Sequence, residues 1–218
     1  MDYATLVADK KTLGSIANWV NYTDTKIPVA DILHEAQTYI FDRVRLTEMK
    51  AVRTIALATG AYSLSKPSDL LTVINFQDQN MIRIRPRDFK SLMDRLSFDS
   101  SGNIIQSDAP LFYTVTGTTF EFDMAPSADI NLTLSGYFQP PFLGDGTSGT
   151  VTTNWLTDTY PHLLRTAILM FVADFLNDDG KYTRYAQRYV DLEKQAEQSS
   201  DMDMLGMQID MDYSESRL

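Results

Sequence analysis

Apolar residues recur at three- and four-residue steps at both ends of this chain and at two-residue steps through its middle. That switch of period constrains the fold most, because a helix and a strand cannot share one hydrophobic spacing. Near the start, Leu13, Ile16, Ala17 and Val20 predict a short helix over 12–21 that Thr12 can cap. A polar stretch over 21–26 turns the chain. Pro28 suits the first turn of a second helix, where its missing N–H would have no partner anyway. Ile32, Leu33, Ala36, Ile40, Phe41 and Val44 form the apolar face of that helix, which should end near residue 45. Toward the other end, Pro161 opens a helix to about residue 177, with Leu164, Ile168, Phe171, Val172 and Phe175 on its core side. It is apolar over most of its circumference, which predicts a central place in the helical part. Asp178-Asp179-Gly180 breaks it, and Tyr182, Tyr185, Tyr189, Leu192 and Ala196 stripe a last helix over about 181–198.

Between these ends the pattern is that of strands. Val52, Ile55 and Leu57 begin it, 62–64 and 70–76 continue it, and Ile82 and Ile84 alternate with Arg83 and Arg85. A small helix over 86–96 and a polar loop over 97–110 precede three further strands over 112–116, 120–124 and 130–137. Tight turns between alternating strands predict antiparallel pairing with one wet face. The expected class is therefore α+β. Segments 1–46 and 154–198 close on each other as a discontinuous helical bundle, 47–153 forms an inserted antiparallel β domain, and 199–218 is an extended C-terminal tail in which no period persists.

Composition narrows the chemistry. A chain of 218 residues suits one domain, or one body with a subdomain, and buries a core without staples. It has no cysteine, which removes disulfides and thiolate metal sites. The longest uncharged apolar run, 166–173, falls far short of the roughly 20 residues that span a bilayer. No basic segment followed by an apolar run opens the chain, so the expectation is a soluble protein made in a cytoplasm. The net charge of −10 argues against strong duplex-DNA binding, which draws on Lys and Arg to neutralise phosphates.

Motifs of catalysis are missing. The glycine-rich stretch 144–149 lacks the Lys-Ser/Thr of a phosphate loop. Asp201-x-Asp203 lacks the glycine and closing glutamate of a calcium loop. His34 and His162 have no nucleophile beside them in sequence. No catalytic residue, cofactor or metal ligand is expected, although two carboxylates brought together by the fold stay open as a hydrolytic pair. Two features suggest surfaces instead. Arg83, Arg85, Arg87, Lys90 and Arg95 form either a solvated face or a contact for an acidic face of a neighbouring subunit or partner. Met202, Met204, Leu205, Met207, Ile209 and Met211 sit among aspartates in the tail, as a solvated end or as a docking segment suited to a groove in another protein.

The order of several short motifs resembles the head-to-tail adaptor, or connector, proteins of short-tailed bacteriophages. They are Leu13, Ile16 and Trp19-Val20-Asn21; Ile27-Pro28; Glu35-Ala36; Arg43-Val44-Arg45 and Glu48-Met49; Tyr62-x-Leu64-x-x-Pro67-x-Asp69-Leu70; Ala125-Pro126; Asn154-Trp155-Leu156; Tyr160-Pro161, Leu163-Leu164, Ala167, Ala173 and Asp178-Asp179. The resemblance covers roughly residues 5 to 195, so the tail lies outside it. It implies a non-catalytic virion protein of the phage neck, made in the host bacterial cytoplasm and active in tail assembly. Such adaptors form a ring, commonly a dodecamer, beneath the portal protein. They extend the channel through which dsDNA passes without specific binding, and they carry the tail nozzle and often tail fibres. No membrane is implied. The tail is the candidate portal-binding segment and the arginine face the candidate subunit or partner interface. Two rivals stand beside this reading. One is a receptor- or glycan-binding tail module presenting Tyr113, Tyr137 and Phe138, and the other an enzyme such as a cell-wall hydrolase.

Overall fold

In the computed structural model the described residues are 1–8, 15–20, 27–96, 106–107, 109–147 and 149–215, with side chains described for all but 20, 106–107 and 201–215. In chain order the elements are α1 (Tyr3–Val7), α2 (Ile16–Val20), α3 (Val29–Arg43), β1 (Lys50–Leu57), β2 (Ser63–Ser65), β3 (Leu70–Gln77), β4 (Arg85–Pro86), α4 (Phe89–Met93), β5 (Gln106–Ser107), β6 (Phe112–Thr116), β7 (Thr119–Phe122), β8 (Ala125–Pro126), β9 (Ile130–Phe138), α5 (Trp155–Asp158), α6 (Pro161–Phe175) and α7 (Asp179–Glu215). The class is α+β. The expected cap Thr12, the start of its helix, the turn over 21–26 and the loop 97–105 lie outside the described residues. The chain divides into two compact units, residues 1–49 with 140–218, and residues 50–139.

In the first unit α3 packs on α6, and α6 on α7. Ile32, Leu33, Ala36, Ile40 and Phe41 of α3 are buried with Leu163, Leu164, Ala167 and Ile168 of α6. Tyr39 meets the rings of Phe171 and Tyr189 edge-on, at 5.6 and 5.1 Å between centroids. Residues 140–153, expected in the β domain, belong to this unit instead. The reason is Gln37: it is buried in α3, and its Oε1 accepts from Leu143 N–H at 2.7 Å, while Phe142 lies 4.4 Å from the His34 ring. A glutamine within an apolar stripe gives no hint of a partner 106 residues away.

The last helix also differs from expectation. It does not end near residue 198 in an extended tail; its backbone stays helical to Glu215. Its buried stripe is Tyr189, Glu193, Ala196 and Ser200: of the expected stripe Tyr189 and Ala196 are buried and Tyr185 and Leu192 half-buried, while Tyr182 is 40% exposed. Glu193 and Ser200 can be buried because each has a partner. Arg43 donates to both Glu193 carboxylate oxygens, at 3.1 and 3.3 Å, and Thr47 N–H donates to Ser200 Oγ at 2.7 Å. Tyr189 is fully buried with no partner for its hydroxyl among the described residues, and burial holds its pKa well above the ordinary phenol value. Residues that read as polar surface thus carry the helix past the predicted stop.

A three-residue corner joins α6 to α7. Asn177 takes a left-handed φ of 52°. Asp178 N–H donates to Ala173 O at 2.9 Å and Asn177 N–H to Asp174 O at 2.9 Å, the two bonds of a Schellman stop. Asp178 Oδ1 then accepts from Lys181 N–H at 3.0 Å and starts α7.

In the second unit, β9 is the centre of an antiparallel sheet ordered β1-β9-β3, and a second sheet runs β2-β7-β6-β4. Both contribute to one core, with Leu57, Leu70, Phe76, Ile130, Leu132, Leu134 and Phe138 from the first and Tyr113, Phe120 and Phe122 from the second. The β6–β7 hairpin matches expectation, but the next long strand, β9, leaves it to pair with β1 and β3. Reading turns locally pairs only neighbours in sequence, whereas β9 buries every second residue from Ile130 to Phe138 and so suits a sheet centre. The domain is not wholly antiparallel either, because β4 pairs β6 and β5 pairs β8 in parallel, two residues each. Nor do Ile82 and Ile84 share a face: Ile84 is buried and Ile82 is 52% exposed. The buried Asp78 folds this segment into a turn, its Oδ1 accepting from Asn80 and Ile82 N–H at 2.8 Å each, with Met81 left-handed at φ 65°.

Candidate interaction surfaces

The basic strip of the β unit is assembled by backbone bonds along β6. Arg85 N–H donates to Leu111 O at 2.9 Å and Arg87 N–H to Tyr113 O at 2.8 Å. Asp88 then caps α4 by accepting from Ser91 N–H at 2.9 Å, and that hydrogen bonding holds its pKa below the ordinary aspartate value. Arg83, Arg85, Arg87, Lys90 and Arg95 are all exposed. Arg87 and Arg95 lie over the ring of Phe112, with guanidinium carbons 4.6 and 4.5 Å from its centroid. Arg95 Nε is also 3.7 Å from Asp123 Oδ2, whose side chain is fully buried. Asp123 Oδ1 accepts from the N–H groups of Leu111 and Phe112 at 3.0 Å each, so one carboxylate fixes both the start of β6 and the head of Arg95. Arg83, Arg85, Arg87 and Lys90 have no carboxylate within 4.0 Å among the described residues. Met81, Ile82, Phe89 and Leu111, exposed apolar residues, accompany the strip along the chain or through its backbone bonds. Arginine mixed with methionine and aromatic surface is the composition of protein interface centres.

A second cationic feature lies in the helical unit. His162, Arg165, Thr166 and Leu169 of α6 and Arg184, Tyr185 and Arg188 of α7 line a cleft of about 320 Å³. The Arg165 guanidinium lies 4.8 Å from the centroid of the Trp19 ring. None of the three guanidiniums has a carboxylate within 4.0 Å among the described residues. Forked, permanently charged donors converging on one cleft suit carboxylates or phosphates. The sequence shows only the halves of this site, Arg184 and Arg188 one helical turn apart and His162 and Arg165 nearly so; what unites them is the packing of α6 on α7.

The six apolar tail residues, Met202, Met204, Leu205, Met207, Ile209 and Met211, occupy helical backbone positions in α7, and their side chains lie outside the described residues. At about 100° per residue, positions 202, 205 and 209 fall on one side of the helix axis and 204, 207 and 211 on the other. That split is why no single apolar period marks this stretch.

The aromatic face required of a glycan-binding module is not formed. Tyr113 and Phe138 are buried in the β core, and the half-buried Tyr137 lies beside Lys50, 5.4 Å from ring centroid to Nζ. Alternating aromatics read as surface here because the strand that covers them is distant in sequence. Among the described residues no group of three His, Asp or Glu side chains could hold a metal ion, and no helix is long and apolar enough to cross a membrane.

No curated protein matches the chain significantly. The model of one family, described as SU10 adaptor protein, matches residues 1–211. The match runs through both units and into the end of α7, beyond the reach of the resemblance read from the motifs. With that coverage, the chain belongs to the SU10 adaptor protein family and is a structural adaptor of a short-tailed phage.

Proposed function

We propose that copies of this chain form the adaptor ring between the portal and the tail nozzle, extending the DNA channel and anchoring tail components. The observation that carries this reading is the family match over 1–211, which takes in both units rather than one module. Cationic surfaces with no acidic partner among the described residues, in a chain of net charge −10, support it, because they suit acidic neighbours better than solvent alone. The strip of Arg83, Arg85, Arg87 and Lys90 is the proposed interface with a neighbouring subunit or tail component. Residues 199–218 are the proposed portal-binding segment, acting through Met202, Met204, Leu205, Met207, Ile209 and Met211. In the virion the channel passes dsDNA without binding it specifically, since the chain as a whole is acidic.

Mixing the purified chain with its phage's portal rings and measuring complex mass tests the ring. The expected result is a discrete multiple of the chain on each portal; unbound chain at micromolar concentration would refute it. A stop after Ser200 preserves the bonds between Ser200 and Thr47 and removes the proposed docking residues. It should abolish portal binding and leave the far-UV spectrum per folded residue unchanged. Undiminished binding would remove the tail assignment.

A further inference from the structure

We infer that the arginine cleft between α6 and α7 receives the carboxylates of α3 from a second copy of this chain. The cleft presents Arg165, Arg184 and Arg188 with His162 at its edge, all without an acidic partner in their own copy among the described residues. The matching feature is a stripe on α3. Asp31, Glu35 and Asp42 are exposed, spaced at four and seven residues, and have no cation within 4.0 Å among the described residues.

Their spacing is complementary. Asp31 and Glu35 lie one helical turn apart, about 6 Å along the axis, and so do Arg184 and Arg188. Bidentate arginine–carboxylate pairing favours such matched rows. Their placement prevents a chain from satisfying itself. Phe171 of α6 touches Tyr39 of α3, and His162 lies nine residues earlier, about two and a half turns, so the cleft side of α6 faces away from α3. In α3, Asp31 and the fully buried Ile40 are also nine residues apart, so the acidic stripe faces away from the core. Two complementary features on different faces of one unit give a head-to-tail contact, which propagates to a ring or filament rather than stopping at a two-fold dimer. The inference deepens the ring reading and rests on it. It favours protein over nucleic acid as the occupant because the matching acidic row is on this chain and the net charge repels a polyanion.

The test uses the full chain with three sets of changes: Arg184→Glu with Arg188→Glu, Asp31→Lys with Glu35→Lys, and all four together. Association is read by sedimentation velocity alone and by complex mass on portal rings, with circular dichroism confirming folding. Each reversal by itself should weaken association at least ~100-fold, as desolvated charge pairs across interfaces do, and the fourfold variant should recover to within about tenfold of wild type. Full assembly by the arginine variant, or no recovery by a folded fourfold variant, overturns the inference and leaves the ring reading standing. Wild-type chain that never multimerises, even on portal rings, removes the ring reading and the inference with it. Loss of duplex-DNA retention by the arginine variant, with assembly unchanged, assigns the cleft to phosphate and also overturns the inference. A second measurement does not depend on reversed charges being tolerated. The chain has no cysteine, so in Glu35→Cys with Arg188→Cys only the two introduced thiols can cross-link, and either single variant can give at most a dimer. Oxidation should give a ladder of covalent species beyond the dimer, while bands no larger than a dimer contradict the geometry.

Discussion

Replacing Asp123 by alanine removes the carboxylate that ties Arg95 of the basic strip to the β core. Its Oδ1 accepts from Leu111 and Phe112 N–H at 3.0 Å each, and its side chain is fully buried. Alanine would leave two part-buried donors without their acceptor, at about 1–3 kcal/mol each, and release Arg95 from its partner. The expected loss is about 3–5 kcal/mol, a large fraction of the stability of a domain this size. With a urea dependence of about 1 kcal/mol per molar, the midpoint should fall by about 3–5 M. Asparagine keeps an oxygen for both donors and forfeits only the charge, so Asp123→Asn should cost about 1–2 kcal/mol. The assay can address each unit separately. Both tryptophans, Trp19 and Trp155, lie in the helical unit, so indole fluorescence follows that unit, while circular dichroism also reports the strands. The dichroism transition should show an early β phase in Asp123→Ala. A midpoint within about 1 M of wild type in both signals would refute the role given to this carboxylate.

Three further outcomes are expected. A Cβ at position 136 would meet Thr72 O at 2.6 Å and Leu70 Cδ1 at 2.8 Å, and that carbonyl belongs to the strand beside β9. Gly136→Ala should therefore cost about 2–3 kcal/mol in urea unfolding, as overpacked cores do. At the α6–α7 corner, Asn177→Ala should lower stability by about 1 kcal/mol because alanine tolerates left-handed φ poorly, while Asn177→Gly should keep or raise Tm. Acid should also destabilise the chain. Hydrogen bonds from Ser91 to Asp88, Thr59 to Asp129 and Lys181 to Asp178 hold these carboxyls below the ordinary aspartate pKa. Their stabilisation is complete above that ordinary value, about 3.9, and is lost as pH falls through the lower folded values. Calorimetry should show Tm dropping below about pH 4; a Tm unchanged between pH 5 and pH 2 would contradict this.

Much of the architecture was legible because period alone separates helix from strand. The stripes of Ile32, Leu33, Ala36 and Ile40 and of Leu164, Ile168 and Val172 are buried as read, whereas Phe171, read with the second, is half-buried and Phe175 is exposed. What escaped depends on partners far away in sequence. Gln37, Glu193 and Ser200 look like surface residues, yet each is buried against a group more than 100 residues distant. Tyr113 and Phe138 look like display residues until the two sheets pack into one core. The strip of Arg83, Arg85, Arg87 and Lys90 could be seen because it is contiguous. The cleft of Arg165, Arg184 and Arg188 could not, because it exists only once α6 and α7 turn back on each other.

The corner at Asn177 and Asp178 leaves no slack between the two halves of that cleft. Each residue added or removed between it and Arg184 would swing Arg184 and Arg188 by about 100° around α7, carrying their charges out of register with Arg165. Insertions and deletions should therefore be purged from this corner in natural variants, while substitutions accumulate. Length variation has a freer outlet in the turn around Gly146 and Gly149, where added side chains meet little or nothing.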